Sequence, residues 1–366
     1  MEYVLVFLAS AAVALLATPL VRRLALRFGA IDRPSDRKVH PKPTPTLGGL
    51  AIWAACIAGL GVAWALSPFD ALFQASSEPL GVALAGTVIV VLGSYDDLRG
   101  LSVPAKIAGQ VLAAGLLILS GVQLVYFWVP GLGILSLGPD LAVPLTLLWV
   151  LAMINAVNLI DGLDGLASGV VAIAALAFLA YTIPAGDRAL GVPTPASLFS
   201  VVVAGAALGF LPHNFNPARI FMGDSGSMLL GLVLAAATIS GVGQTVDPTT
   251  TDLAALAIPV LIPLLVLAVP FTDVLWAIGR RLRRRKAVYR PDKEHIHHRL
   301  LDIGHTHRQA VLLMYLWSAL VAASALAITF IESATLAALV LVGIAAILLG
   351  TAAPRMMRRA NGRVRS

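Results

Sequence analysis

The sequence predicts an all-α, polytopic membrane bundle of about eleven transmembrane helices, with its N-terminus outside and its C-terminus in the cytoplasm. Three observations predict it. Of 366 residues, 58% are hydrophobic and only 12% charged, far below the roughly one-quarter charged residues of an average soluble chain. Apolar runs long enough to cross a bilayer recur along the chain. The basic residues also fall almost wholly in alternate loops, the pattern that fixes membrane orientation.

In order, the spans are read at about 3–21, 47–67, 80–95, 104–121, 141–156, 165–183, 197–212, 225–242, 253–277, 310–331 and 334–352. The first carries Glu2 in place of a basic leader and ends in Arg22 and Arg23. That order is expected of a first transmembrane helix, not of a cleaved signal. Residues 122–140 alternate and are broken by proline and glycine, so a hairpin is expected there. One domain spans 1–366, with loops 22–46, 96–103, 157–164, 213–224 and 278–309 forming a single cytoplasmic face. Of the 26 lysines and arginines, only Arg188 falls on the other side. The net charge of +7 is therefore read as anchoring to anionic lipid head groups, and no nucleic-acid partner is expected. Cys56, the single cysteine, excludes a disulfide within the chain and is read as a small buried hydrophobe.

Polar residues then stand out. "NAVNLIDGLDGLASG" places Asn155, Asn158, Asp161 and Asp164 in steps of three between two apolar spans. An aspartate at the bilayer centre costs about 2.5–3.5 kcal/mol on insertion scales, so these residues are expected at the interface. "GSYDDLRGLSVPAKIAGQ" ends one span with Asp96 and Asp97 and begins the next with Lys106 and Gln110, one turn apart on one face. Adjacent carboxylates need a cation, a lysine or a shared proton beside them. "GFLPHNFNPARIFMGDSGSMLLG" sets Asp224 in a small-residue turn that opens a helix, where an N-cap aspartate is the plain alternative. "DRPSDRKVHPKPTPTLGG" joins a charge run to a rigid proline–threonine segment and two glycines. The basic loop ending "HIHHRLLDIGHTHR" offers His295, His297, His298 and Arg299; phosphate binding suits it better than zinc, because the loop offers no cysteine and its arginine and histidines match the phosphate chemistry of the other motifs. Carboxylate and amide oxygens suit a hard divalent cation, and lysine, arginine and histidine suit phosphates. No Walker or kinase signature occurs. Phosphoryl transfer at a membrane surface is what remains. The rival class, a secondary transporter or lipid-carrier flippase, would place polar groups near the midplane in repeated broken helices, and an inactive scaffold would lack one of the motifs.

Five segments in order, "RKVHPKPTPTLGG", "DDLRGLSVPAKIAGQ", "NAVNLIDGLDGLASG", "GFLPHNFNPARIFMGDSGS" and "HIHHRL", resemble the polyprenyl-phosphate N-acetylhexosamine-1-phosphate transferases of glycosyltransferase family 4. The "HPKPTP" and "H-x-H-H-R" forms are similar to the branch that uses UDP-N-acetylglucosamine. The muramoyl-pentapeptide branch carries three consecutive histidines, which this chain lacks. The resemblance implies attack of undecaprenyl or decaprenyl phosphate on the β-phosphate of the UDP-sugar, with release of UMP, in a bacterial cytoplasmic membrane. It implies that Asp224 and Asn158 hold Mg²⁺, with Mn²⁺ as a substitute. It implies that Asp96, Asp97 and Lys106 face the acceptor phosphate and that Asp161 and Asp164 belong to the donor-nucleotide region. His297, His298 and Arg299 would meet the sugar diphosphate. Lys38, His40 and Thr44 of the first motif, with Gln110, Asn155 and Asn214, complete the expected substrate-binding set. A homodimer is compatible with such a bundle.

Overall fold

The computed structural model describes residues 1–34, 43–129, 133–184, 191–244 and 304–327, and the single position 343. The chain is mostly helical. Ten helices are described: α1 (Glu2–Phe28), α2 (Gly49–Trp64), α3 (Asp70–Ala75), α4 (Glu78–Arg99), α5 (Val103–Leu119), α6 (Pro139–Ile160), α7 (Leu166–Thr182), α8 (Pro195–Asn214), α9 (Gly223–Gln244) and α10 (His307–Ala327). Among the described residues six helices are long and apolar enough to cross a membrane, or seven if the bent pair Gly49–Trp64 and Ser67–Ala75 counts as one span. Nine of the expected spans coincide with a described helix; that at 253–277 lies outside the described residues, as does that at 334–352 apart from position 343.

Burial sorts these helices into an inner pair and an outer set. The apolar windows of α8 and α9 are 83% and 89% buried, whereas those of α1, α10, α6 and α4 are 28–44% buried. Leu5, Leu8, Leu16 and Leu20 leave α1 apolar on its exposed side, as lipid requires. Its buried side is made of small residues, among them Ser10, Ala14, Thr18 and Ala25. They let α1 approach α8 so closely that a Cβ added at Gly205 or Gly209 would strike the α1 backbone at Phe7 or Ala11. Without water between helices, such packing of small residues is what brings membrane helices together. Helix α1 stops at Gly29, whose φ of 70° lets its N–H turn back to Ala25 and Leu26 carbonyls.

The hairpin expected across 122–140 is present: β3 (Tyr126–Val129) pairs antiparallel with β4 (Gly133–Ser136). One feature differs from expectation. The span read at 47–67 ends at Trp64, and after a short 3₁₀ turn at Ser67–Phe69 the chain continues at 90° to α2. Pro68 opens that turn, and Phe69, fully buried against the edge of the Tyr3 ring, holds the corner.

Helices α1, α4, α6 and α8 end where α2, α5, α7, α9 and α10 begin. This common end carries the polar motifs. A second two-stranded pair, β1 (Ile31–Asp32) with β2 (Thr44–Pro45), lies beside it.

Candidate functional site

The centre of the site is the first turn of α9. Gly223 enters it with φ 70°, a conformation that favours glycine, and a side chain there would run into the Asp97 carboxylate and the Thr46 hydroxyl. The free N–H groups of this helix start are taken from another helix. Asp97, near the end of α4, accepts the N–H of Asp224 at 2.8 Å, the N–H of Ser225 at 3.3 Å and the Ser225 hydroxyl at 2.9 Å. A carboxylate at a helix N-terminus gains both the hydrogen bonds and the helix dipole.

Asp224 is thereby aimed away from its own backbone. Its Oδ1 accepts from Asn158 Nδ2 at 2.7 Å, and its Oδ2 pairs with the Lys106 ammonium. Lys106 also pairs with Asp96 at 3.0 Å. The compensation that the adjacent carboxylates require is divided between two groups: Asp96 has the lysine, and Asp97 has the helix start. The Asn158 amide also donates to Ser227 at 2.9 Å, while its Oδ1 accepts no hydrogen bond among the described residues.

The residues beneath are ties between helices. Gln110 is fully buried; its amide meets the Met228 sulfur at 3.3 Å and its carbonyl accepts from Asn155 at 2.8 Å. These two expected substrate contacts therefore brace α5 against α6 one turn below Lys106 and Asn158. Asn214, also buried, accepts from the Gly165 N–H and the Ser168 hydroxyl at 3.1 Å and donates to the Ile220 carbonyl at 3.1 Å. Asn214 links two loops from below.

Loop 161–165 forms one rim. Asp164 is held by Asn216 Nδ2 at 2.8 Å and by the Ala218 N–H at 3.0 Å. Asp161 differs: its carboxylate takes no hydrogen bond among the described residues, although part of its surface reaches solvent. Burial first, then the negative charges of Asp224, Asp97 and Asp164, push its carboxyl well above the usual carboxylate range. The start of α10 closes this rim, with Arg308 Nε donating to the Asn216 carbonyl at 2.9 Å and the Tyr315 hydroxyl donating to the Gly165 carbonyl.

The opposite rim is the first motif. Residues 45–49 run beside 221–222, with Phe221 N–H donating to Pro45 O at 2.8 Å, Gly48 N–H to Phe221 O at 3.0 Å and Gly49 N–H to Met222 O at 2.9 Å. Leu47 holds φ 74° between them, and strained backbone of this kind clusters at functional sites. Thr44 is buried in β2. Lys38, His40, His297, His298 and Arg299 lie outside the described residues.

Several contributors escape a reading by motif. Ser225, Ser227, Asn216, Arg308 and Tyr315 bond across elements, a relation that spacing along one helix does not carry. Gly93, one turn before Asp97, lies so close to α9 that a Cβ there would overlap the Ser225 backbone. Gly93→Ala is expected to push α4 off α9, lowering the thermal midpoint by several degrees, as overpacking costs about 1–3 kcal/mol. Gly61→Ala, with open space around it, is the control and is expected to stabilise slightly by its helix propensity. A purified-protein melting curve of both variants checks the pair.

Fold and site together define a multi-pass membrane protein with an acid–amide–lysine cluster at one end of its bundle. The chain belongs to glycosyl transferase family 4, whose model matches residues 79–242. Relatives cover nearly all of it. It is 41% identical to "Decaprenyl-phosphate N-acetylglucosaminephosphotransferase" of Mycobacterium leprae, over 98% of this chain and 92% of that protein. It is 35% identical to "Probable undecaprenyl-phosphate N-acetylglucosaminyl 1-phosphate transferase" of Bacillus subtilis, over 86% and 81% of the two chains. It is 30% identical to the "Undecaprenyl-phosphate alpha-N-acetylglucosaminyl 1-phosphate transferase" of Escherichia coli, over 82% and 77%.

Proposed function

We propose that this protein transfers N-acetylglucosamine-1-phosphate from UDP-N-acetylglucosamine to a polyprenyl phosphate. An oxygen of the lipid phosphate attacks the β-phosphorus of the donor. The bond from that phosphorus to the bridging oxygen breaks, and UMP leaves with the electron pair. The observation that carries the reading is the Lys106 ammonium paired with both Asp96 and Asp224, beside Asn158, in a chain similar along its whole length to named enzymes of this reaction.

Each residue has a role in that reading. Lys106 presents positive charge where two phosphate groups must approach one another. Asp96 and Asp224 orient its ammonium. Asp161, uncommitted and in the same electrostatic neighbourhood, faces the donor side. No general base is required: a phosphate monoester with a second pKa near 6 is already about nine-tenths dianion at neutral pH. Positioning and charge neutralisation supply most of the acceleration in phosphoryl transfer.

Mg²⁺ belongs to the proposal as a metal shared with substrate. Among the described residues no three His, Cys, Asp or Glu side chains gather as a metal cage. Asp224 with the open Oδ1 of Asn158 fits the alternative, in which one or two protein oxygens and substrate phosphates hold the ion. Bound there, Mg²⁺ would neutralise charge on the diphosphate and leaving UMP. Eleven spans, an outside N-terminus and a cytoplasmic site complete the proposal, supported by the one-sided distribution of lysine and arginine.

The test is UMP release by the detergent-purified protein given polyprenyl phosphate and Mg²⁺, with UDP-N-acetylglucosamine and UDP-MurNAc-pentapeptide in parallel. Release from the first donor alone, abolished by a chelator and restored by Mg²⁺, is expected. Release from the second alone would move the chain to the other branch, and no release from a panel of UDP-sugars would overturn the reading.

A further inference from the structure

The two adjacent aspartates do different work, and we propose that Asp97 is a positioning residue: it caps α9 and so fixes Asp224, while Asp96 alone of the pair faces the reacting phosphates. This rests on the site being the one described above. Both Asp97 oxygens are committed, Oδ1 to the Asp224 N–H and Oδ2 to the Ser225 N–H and hydroxyl. The surrounding packing is built for that contact. Gly93 brings α4 against the Ser225 backbone, and Gly223 leaves room for the Asp97 carboxylate where a side chain would displace it. Asp96 has a different set of partners, the Lys106 ammonium and the Leu101 N–H at the start of the α4–α5 turn. Only Asp96 shares the lysine with Asp224.

The chemistry of the cap predicts which substitution rescues. Asparagine keeps an Oδ1 to accept the Asp224 N–H, and its Nδ2 can donate to the Ser225 hydroxyl oxygen, which turns its own proton toward the Met222 carbonyl 3.3 Å away, so that only the long bond from the Ser225 N–H is lost. Alanine keeps neither. In Asp97→Ala, amide hydrogen exchange over 223–227 is expected to quicken about tenfold, the effect of losing an N-cap. The Mg²⁺ concentration giving half-maximal thermal stabilisation should rise by a similar factor. Asp97→Asn should stay within about threefold of the parent protein on both readings, whereas Asp96→Asn should lose UMP release without altering exchange at 223–227. Ser225→Ala, which removes one of the three hydrogen bonds, should move exchange the same way by less and serves if the alanine variant does not fold. Asp97→Asn as impaired as Asp97→Ala, or unchanged exchange in Asp97→Ala and Ser225→Ala alike, would overturn the proposal. If the parent protein releases no UMP, the activity reading fails, and exchange at 223–227 still decides the cap.

Discussion

Asp224→Asn is expected to lower kcat/KM about a thousandfold, near 4 kcal/mol of transition-state stabilisation, while moving the thermal midpoint by only a few degrees. The two effects separate because of what surrounds the residue. The start of α9 is capped by Asp97 and does not depend on the Asp224 side chain. Asparagine retains an oxygen to accept from Asn158 or Lys106. What it loses is a charge that stands among Asp96, Asp97 and Asp161, with Lys106 the cation paired to the cluster among the described residues. Repulsion from those neighbours is offset by the pairing with Lys106 and the hydrogen bond from Asn158, so the net effect of the charge on stability is small beside its effect on rate. Steady-state kinetics and a melting curve on the same preparation check both halves; a midpoint lowered by many degrees would make Asp224 structural.

Lys106→Ala should be damaging for both properties. The lysine is 20% exposed, with Asp96 and Asp224 at 12% and 31%, so its pairs lie between the surface and fully buried regimes. Removing it leaves two carboxylates facing each other without a counter-charge, which costs more than the ~1 kcal/mol of an exposed pair and less than the ~3–5 kcal/mol of a broken buried one. Activity should fall by about 10²–10³-fold, because phosphate groups lose the fixed cation near the reacting centre. Lys106→Arg should recover stability but only part of the rate, since a planar guanidinium cannot replace a compact ammonium between two carboxylates. Full activity in Lys106→Arg would mean that charge alone matters there.

How much of this was legible in the sequence depends on the range of each relation. Apolar runs are local, and they located nine helices that the structure describes. The hairpin was legible from alternation and proline–glycine breaks. The sharing of one face by Lys106 and Gln110 was equally local, and it holds; the buried tie that Gln110 makes to Met228 and Asn155 was not legible. Cross-helix relations were not legible. Lys106 and Asp224 are 118 positions apart and Asp97 and Ser225 are 128 apart, so motif spacing identified the residues without saying which carboxylate takes the lysine and which the helix start. The bend after Trp64 was legible only in part: Pro68 marks a break just past the apolar run 47–67, but the direction the chain takes beyond it depends on long-range packing such as that of Phe69 against Tyr3. Gly49 and Gly93 read as ordinary small residues until α9 is seen against them.

In the proposed reaction a sugar phosphate, not a sugar, passes from a soluble nucleotide to a lipid phosphate at this cluster. The measurement that tests it most directly uses UDP-N-acetylglucosamine labelled with radioactive phosphorus at the β-phosphate, purified protein and polyprenyl phosphate, followed by separation of lipid from water. The label should enter the lipid phase in step with UMP release, and Asp224→Asn should slow both together by about a thousandfold. Label remaining in water as UDP while sugar enters the lipid would contradict the proposed reaction, because the bond broken would then be the one between sugar and phosphate.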